Sequence, residues 1–263
     1  MYGVDKEYKM AALNEKQIRD GFNYFYRDEE HPKSVVEVSE YDGEDKLIIN
    51  CTQLDEGYSA KDKKRILQEW CDFLVEHPDT FTELMFCTRM PQELFDAVCA
   101  QRRLKKLHIK WGVYPDISKL ENLQELEYLH IGSGRSVSSL EPISRLVNLV
   151  ALSIENFQQI DDYTPLANLK HLESLALEGD FAAPKILKVQ SLEFLRHMKR
   201  LRFFSFLTAK VIDKDYSPIL ELNNLEHLTL KSCKEVKQLY PQFVKLPKLK
   251  YGTVLERPEL YEK

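Results

Sequence analysis

The chain has 263 residues, 43% of them hydrophobic and 30% charged, with 37 basic and 42 acidic side chains and a formal charge of -5. That balance fits a globular chain of one large domain or two small ones and gives no general attraction to nucleic acid. The start, Met1-Tyr2-Gly3-Val4-Asp5, has no apolar h-region, no run of about 18 apolar residues follows, and the five cysteines (Cys51, Cys71, Cys87, Cys99, Cys233) contain no Cys-x-x-Cys pair. The expectation is therefore a chain with no secretory signal and no membrane partner, holding free thiols in a reducing cytoplasm.

Residues 1–10 read as a loose terminus. Leu13 to Arg27 reads as a helix with Ile18, Phe22, Phe25 and Tyr26 on one side, expected to pack on an N-terminal cap, with a mobile arm that meets a partner as the alternative. Ser34 to Val38 and Lys46 to Cys51 read as two strands of a hairpin around an Asp42-Gly43 turn signal. Ser59-Ala60-Lys61-Asp62 has the form of a capping box, and Ile66, Leu67, Trp70, Phe73 and Leu74 follow at helical spacing until His77-Pro78. Residues 1–80 are thus predicted to form an α+β cap.

From Phe81 onward one spacing recurs: apolar-x-x-apolar-x-apolar, starting at Phe81, Leu104, Leu126, Leu149, Leu172, Leu201 and Leu225, at steps of 22 to 29 residues. A step in this range marks a solenoid, in which each repeat buries its apolar face against its neighbours. The last two apolar positions of each unit alternate with polar ones, which is strand periodicity. Gln92 to Gln101 reads as the return helix of the first repeat. Ile117 to Leu120, Ile143 to Leu146 and Pro165 to Leu169 read as short helical or 3₁₀ returns in later ones. Tyr251 to Leu255 is expected to close the sheet, and Arg257-Pro258 marks an exit into a tail over 256–263. The repeat from Leu172 is longer than its neighbours, with the extra length placed in Asp180 to Ile186; whether that loop binds or merely lengthens the return stays open.

The run Leu149-Val150-Ala151-Leu152-Ser153-Ile154 through Pro165-Leu166-Ala167-Asn168-Leu169 resembles a leucine-rich repeat, and the Pro-Leu-x-x-Leu return is similar to the short bacterial and SDS22-like classes. The resemblance covers about residues 81–255. It implies an α/β leucine-rich repeat solenoid, a horseshoe with a parallel sheet on its concave side and the cap at its N-terminal end. It also implies a bacterial protein that binds another protein. One departure stands out. Such repeats carry Asn or Cys three positions beyond the last strand residue, and here those positions are Arg89, Gly112, Gly134, Phe157, Asp180, Ala209 and Cys233. With only Cys233 matching and Asp180 a candidate substitute, irregular turns are expected on that edge, their amides satisfied by water or other groups.

On each strand the residues between core positions face the concave side, and they form rows across the sheet. The candidate partner-binding residues on these rows and their rim are Lys106, His108, Lys110, Trp111, Tyr128, His130, Glu155, Glu178, Phe203, Leu207, His227 and Lys231. Lys106 and Lys110 suit acidic groups. Tyr128, Phe203 and Trp111 suit apolar anchoring, and Ala151, Ser153, Ser174 and Ala176 leave a trough between. His108 and His130 fall on neighbouring strands. A zinc site needs three or four ligands, so no metal is expected there; two histidines beside two lysines instead suggest tighter binding of acidic groups as pH falls. No Gly-rich phosphate loop and no His-Glu-x-x-His occurs, and Cys71 and His77 point apart on one helix. Arg102-Arg103-Leu104-Lys105-Lys106 reads as a solvated edge. The predicted function is a monomeric, non-catalytic, cofactor-free module that binds a protein on its concave face, as an inhibitor, an immunity-type partner or a regulator. The alternatives are an enzyme or enzyme-regulating subunit acting through His108 and His130, and an adaptor that oligomerises through its N-terminal helix.

Overall fold

The structure, a computed structural model, describes residues 13–21, 31–180 and 185–262. The first element is a one-and-a-half-turn helix, α1 (Glu15–Asp20), started by an Asn14–Gln17 capping box and ended at Gly21. The strands follow in chain order as β1 (Lys33–Val35), β2 (Lys46–Ile49), β3 (Glu83–Phe86), β4 (Met90–Pro91), β5 (Lys106–Ile109), β6 (Gly112–Val113), β7 (Tyr128–Ile131), β8 (Ala151–Glu155), β9 (Ser174–Glu178), β10 (Leu187–Val189), β11 (Phe203–Leu207), β12 (Ala209–Val211) and β13 (His227–Leu230). Among the described residues nine of these form one sheet, in the order β1-β2-β3-β5-β7-β8-β9-β11-β13, with every neighbouring pair parallel.

The ladder is built by the recurring spacing. Phe81, Leu104, Leu126, Leu149, Leu172, Leu201 and Leu225 are all fully buried. The inward positions of successive strands also lie in register, as in Leu107↔Leu129, Leu129↔Leu152 and Leu152↔Leu175. Each leucine therefore packs on its equivalents about 4.8 Å away on either side, and removing any one leaves two neighbours exposed. The returns are short 3₁₀ turns at Ser118–Asn122, Thr164–Asn168, Glu193–His197 and Ser217–Glu221, each burying one or two apolar side chains. Pro165 and Pro218 sit in the first turn of their returns, where the missing N–H has no partner to lose.

The N-terminal strands differ from the hairpin expected. β1 and β2 are parallel, with Lys33↔Leu47 and Val35↔Ile49, and β2 continues onto β3 through Leu47↔Leu84. Gly43 does turn the chain, at φ +93°, but inside a crossover that also holds a 3₁₀ turn at Val38–Glu40. Leu47 and Ile49 carry the same inward spacing as a repeat strand, so parallel pairing sets them on the leucine ladder, where both are fully buried. The sheet thus runs unbroken through residue 80. The long helix α2 (Ala60–Glu76) serves as the return of this unit. It opens with the Ser59–Asp62 capping box and buries Ile66, Trp70 and Leu74, and the Trp70 indole N–H donates to the Val36 carbonyl at 2.8 Å. Helix α3 (Gln92–Val98) follows, and a single turn, α4 (Glu141–Ser144), returns the third repeat.

The turn edge is more regular than the missing Asn/Cys ladder suggests. Main chain pairs with main chain: β4 with β6, and β10 with β12. Ser133, Asn156 and Thr208 take left-handed φ of 53°, 61° and 50°, each two residues past the last core side chain of its strand, and so turn the chain toward this second ladder. Gly134 and Asn156 then donate to the carbonyls of Glu155 and Glu178 at 3.1 and 2.8 Å. Phe157, fully buried, fills the space beneath Gly134, where a Cβ would meet its ring at 1.8 Å. In the Asp180 to Ile186 segment, Asp180 bridges antiparallel to Lys185, and 181–184 lie outside the described residues.

At the far end, Tyr251 makes one parallel bridge to His227, and the chain then turns into α6 (Thr253–Glu256) instead of continuing as a strand. Before it, α5 (Lys234–Phe243), a helix the sequence reading left out, covers the end of the core with Val236 and Phe243.

Candidate functional site

The concave rows predicted from the sequence lie where expected. Lys106 pairs with Tyr128, His108 with His130, Tyr128 with Ala151, Ala176 with Ser205, Glu178 with Leu207, and Phe203 with His227. What lies over them is α1. It does not pack on the N-terminal cap: Leu13 and Ile18 join Tyr128, Val150, Ala151, Ala176 and Phe203 in a second apolar cluster on the concave face. Phe22, Phe25 and Tyr26 lie outside the described residues. Ala151 and Ala176, the small residues of the trough, share this cluster with Leu13 and Ile18, so the trough is filled by this chain's own side chains. Tyr128 and Phe203 are consequently buried beneath the helix, not presented as free anchors.

The entry to α1 is held by charged residues that stand one position ahead of each strand. Along this edge Lys105, Glu127, Glu173, Arg202, Glu226 and Lys250 alternate in sign, apart from the apolar Val150 between Glu127 and Glu173. The Lys105–Glu127 pair is 3.3 Å apart, Arg202–Glu226 2.7 Å and Lys250–Glu226 3.1 Å. Glu173 is buried. One of its oxygens accepts from the Leu13 N–H and from Arg202 at 3.0 Å each, and the other from Arg200 at 3.2 Å. Arg202 in turn donates to the Leu13 carbonyl at 2.6 Å. Both main-chain groups of one residue are thus engaged by an acid–base pair, a contact that reads backbone and no particular side chain. Tyr251 adds a hydrogen bond to Glu15 at 2.7 Å.

Beyond the C-terminal end of α1 the concave face opens into a cavity of about 650 Å³. Asp20 of α1 forms one wall, and Ser153, Ala176 and Ser205 form the floor. Eight of the twelve predicted residues line it: His108, Lys110, His130, Glu155, Glu178, Phe203, Leu207 and His227. Lys106, Trp111, Tyr128 and Lys231 do not. Lys106 lies 3.6 Å from Glu83 and 5.4 Å from the centre of the Tyr128 ring, and Lys231 is exposed beyond the cavity rim.

The cavity has two chemically distinct sides. On one, His108 and His130 stack nearly parallel with ring centres 4.2 Å apart, and His130 Nδ1 lies 3.1 Å from the Ser153 hydroxyl. Burial holds His130 down to about 3; burial, reinforced by His130 and Lys110, holds His108 well below the usual imidazole range. Both rings are therefore neutral at physiological pH, which corrects the expectation that they gain charge and bind acidic groups as pH falls. A ring this weakly basic is also a poor general base toward Ser153. On the other side, Glu155 and Glu178 are register partners on β8 and β9. Burial pushes Glu155 up to about 7, with Glu178 and Asp180 adding repulsion; burial also raises Glu178, against a 2.9 Å hydrogen bond from Ser205. No cationic side chain among the described residues offsets either carboxyl. Among the described residues no group of three or more His, Cys, Asp or Glu side chains is placed to hold a metal ion, and no helix is long and apolar enough to cross a membrane.

No protein-family model and no curated protein matches the sequence. Solved structures do. An internalin (InlF) from Listeria monocytogenes aligns at 18% identity and TM-score 0.49, over 78% of this chain and 51% of that one. Internalin C2 from the same species aligns at 18% and 0.46, over 69% and 72%. A leucine-rich repeat protein of Leptospira interrogans aligns at 14% and 0.40, over 79% and 65%. The chain spans about half the length of the first. At this distance the likeness concerns fold and leaves function to the site itself. Strands set by a recurring Leu-x-x-Leu-x-Leu spacing, stacked parallel on one leucine ladder with short returns behind them, give this chain a leucine-rich repeat fold.

Proposed function

We propose that this protein is a non-catalytic binding module that takes a protein partner on its concave face, with the cavity beside α1 as the seat for a basic side chain of that partner. The observation that carries the reading is the cavity itself, with two partly buried carboxyls on one side and, among the described residues, no cation offsetting either of them. A lysine or arginine entering there supplies a counter-charge and fills space above Ser153 and Ser205. An arginine also matches a carboxyl pair in geometry. The Met85 and Leu207 side chains offer apolar contact around it. An inhibitory or immunity-type role is the finer form of this reading, in which occupation of the partner's basic residue is what disables it. Five free cysteines, three of them buried, suit a reducing compartment such as the cytoplasm.

The test is capture of partners from native lysate with the intact chain, a Glu155→Gln/Glu178→Gln variant and a Leu207→Arg variant, whose new guanidinium would sit beside Glu178. One protein recovered by the native chain and lost with both variants, at unchanged melting temperature, supports the reading. Equal recovery with all three removes the cavity from the function.

A further inference from the structure

We infer that residues 13–21 are an internal stand-in for a segment of the partner: the partner docks a short helix in the same seat and displaces α1 from it. This rests on the concave-face reading above and deepens it, naming both the kind of segment recognised and the device that keeps the face covered.

Several independent features of the seat point the same way. α1 has six residues, a length at which an isolated helix does not hold its shape, so its conformation is supplied by the sheet beneath it. Its apolar attachment among the described residues consists of Leu13 and Ile18. The seat takes two branched aliphatic side chains, Leu13 and Ile18, in one buried cluster with Ala151, Ala176, Tyr128 and Phe203. At its entry, Glu173 and Arg202 hold the N–H and the carbonyl of a single residue, at 3.0 and 2.6 Å. A clamp on backbone serves any chain that presents the same two groups. At its exit, Gly21 has φ +69° and passes so close to Phe203 that a Cβ there would meet the ring at 2.5 Å. The seat is also continuous with the cavity through Phe203 and Asp20, so a partner helix laid in it would aim its following residues at Glu155 and Glu178. The recognised segment is therefore a short capped helix with two leucine or isoleucine anchors five positions apart, followed by a tight turn and a basic residue.

The experiment uses the full chain and a fluorescein-labelled peptide of residues 13–21 as the probe. Wild type is compared with Ile18→Asp and Gly21→Val, two changes that unseat α1 by different means and leave the sheet sequence untouched. The expected result is that both variants bind the peptide about ten-fold or more tighter than wild type, since an occupied seat lowers apparent affinity in proportion to the fraction open. Adding Arg202→Ala to Gly21→Val abolishes the gain. Three results overturn the inference: folded variants that bind no better than wild type, a gain indifferent to Arg202→Ala, or loss of cooperative unfolding in both variants, which would make α1 a fixed part of the core. If one variant fails to fold, the other decides. None of these results depends on capture of a partner at the cavity, so failure here and failure of the concave-face reading are read separately.

Discussion

Replacing Glu173 by alanine tests how α1 is held. The carboxylate is buried and serves three donors at once: the Leu13 N–H, Arg202 and Arg200. Removing one member of a buried ion pair costs about 3–5 kcal/mol, because the remaining charge keeps its desolvation and loses its partner. Here Arg202 retains Glu226 at 2.7 Å, and Arg200 is 45% exposed, so water recovers part of the loss. The expected destabilisation is about 2–3 kcal/mol. With a urea m-value near 3 kcal/mol/M for a chain of this size, the unfolding midpoint should fall by roughly 0.7–1 M. Hydrogen exchange gives a second, local readout: the Ile18 amide, bonded to the Asn14 carbonyl at 3.1 Å, should lose protection while the amides of β8 and β9 keep theirs. Glu173→Gln, which keeps an oxygen for Leu13 but no charge, should fall between. A loss below about 0.5 kcal/mol with α1 still protected would show that the clamp does not hold the helix, since surface-like pairs lie in that range.

Other expectations follow from the cavity and the ladder. Glu155 has a folded pKa of about 7, above its usual 4.5, so the folded state holds the extra proton and stability falls as pH rises through this window. Glu155→Gln should flatten that fall and raise stability at pH 8 by about 1–2 kcal/mol after allowance for solvent screening, measured by urea titration at pH 5 and 8. His108 and His130 act with the opposite sign. Their folded pKa values are lowered, so the unfolded chain binds protons first and stability declines as pH drops below about 6.5. Their imidazole resonances should show both rings still neutral at pH 5.5, and a protonation midpoint near 6.5 would contradict the stacked, desolvated pair. Leu152→Ala, at the centre of the ladder and 1% exposed, should cost about 2–5 kcal/mol in chemical denaturation, since neighbouring repeats cannot collapse onto the gap.

The repeats were legible because their information is local. Each strand carries its own Leu-x-x-Leu-x-Leu, and stacking requires nothing but the same spacing next door. The concave rows follow from that register, and eight of the twelve residues placed on them line one cavity. The contacts that shape the site are not local. Leu13 meets Glu173 across 160 positions, and no periodicity relates a nine-residue terminal segment to the trough that receives it. One signal stood in plain sight: from β5 onward the position ahead of each sheet strand and of the Tyr251 bridge runs Lys105, Glu127, Val150, Glu173, Arg202, Glu226, Lys250, a charge alternation with one apolar step beside the place where α1 lies. The hairpin expectation failed for a different reason. Asp42-Gly43 is a turn, but turn chemistry does not say whether the next strand returns beside the last or crosses over. The inward spacing of Leu47 and Ile49 matched that of a repeat strand and decided it.

The bond from Arg202 to the Leu13 carbonyl spans 189 positions, and this separation bears on how the chain is made. Translation proceeds at about 5–20 residues per second, so Leu13 is added to the chain roughly 10–40 s before Arg202 exists to receive it. The repeats need no such wait, since each completes its strand against the one before. For that interval the nascent chain carries a partly built sheet with its trough uncovered, and α1 has nowhere to go. The order of synthesis thus makes the seating of α1 a late step, taken once the repeats that carry Glu173, Arg202 and Phe203 are in place.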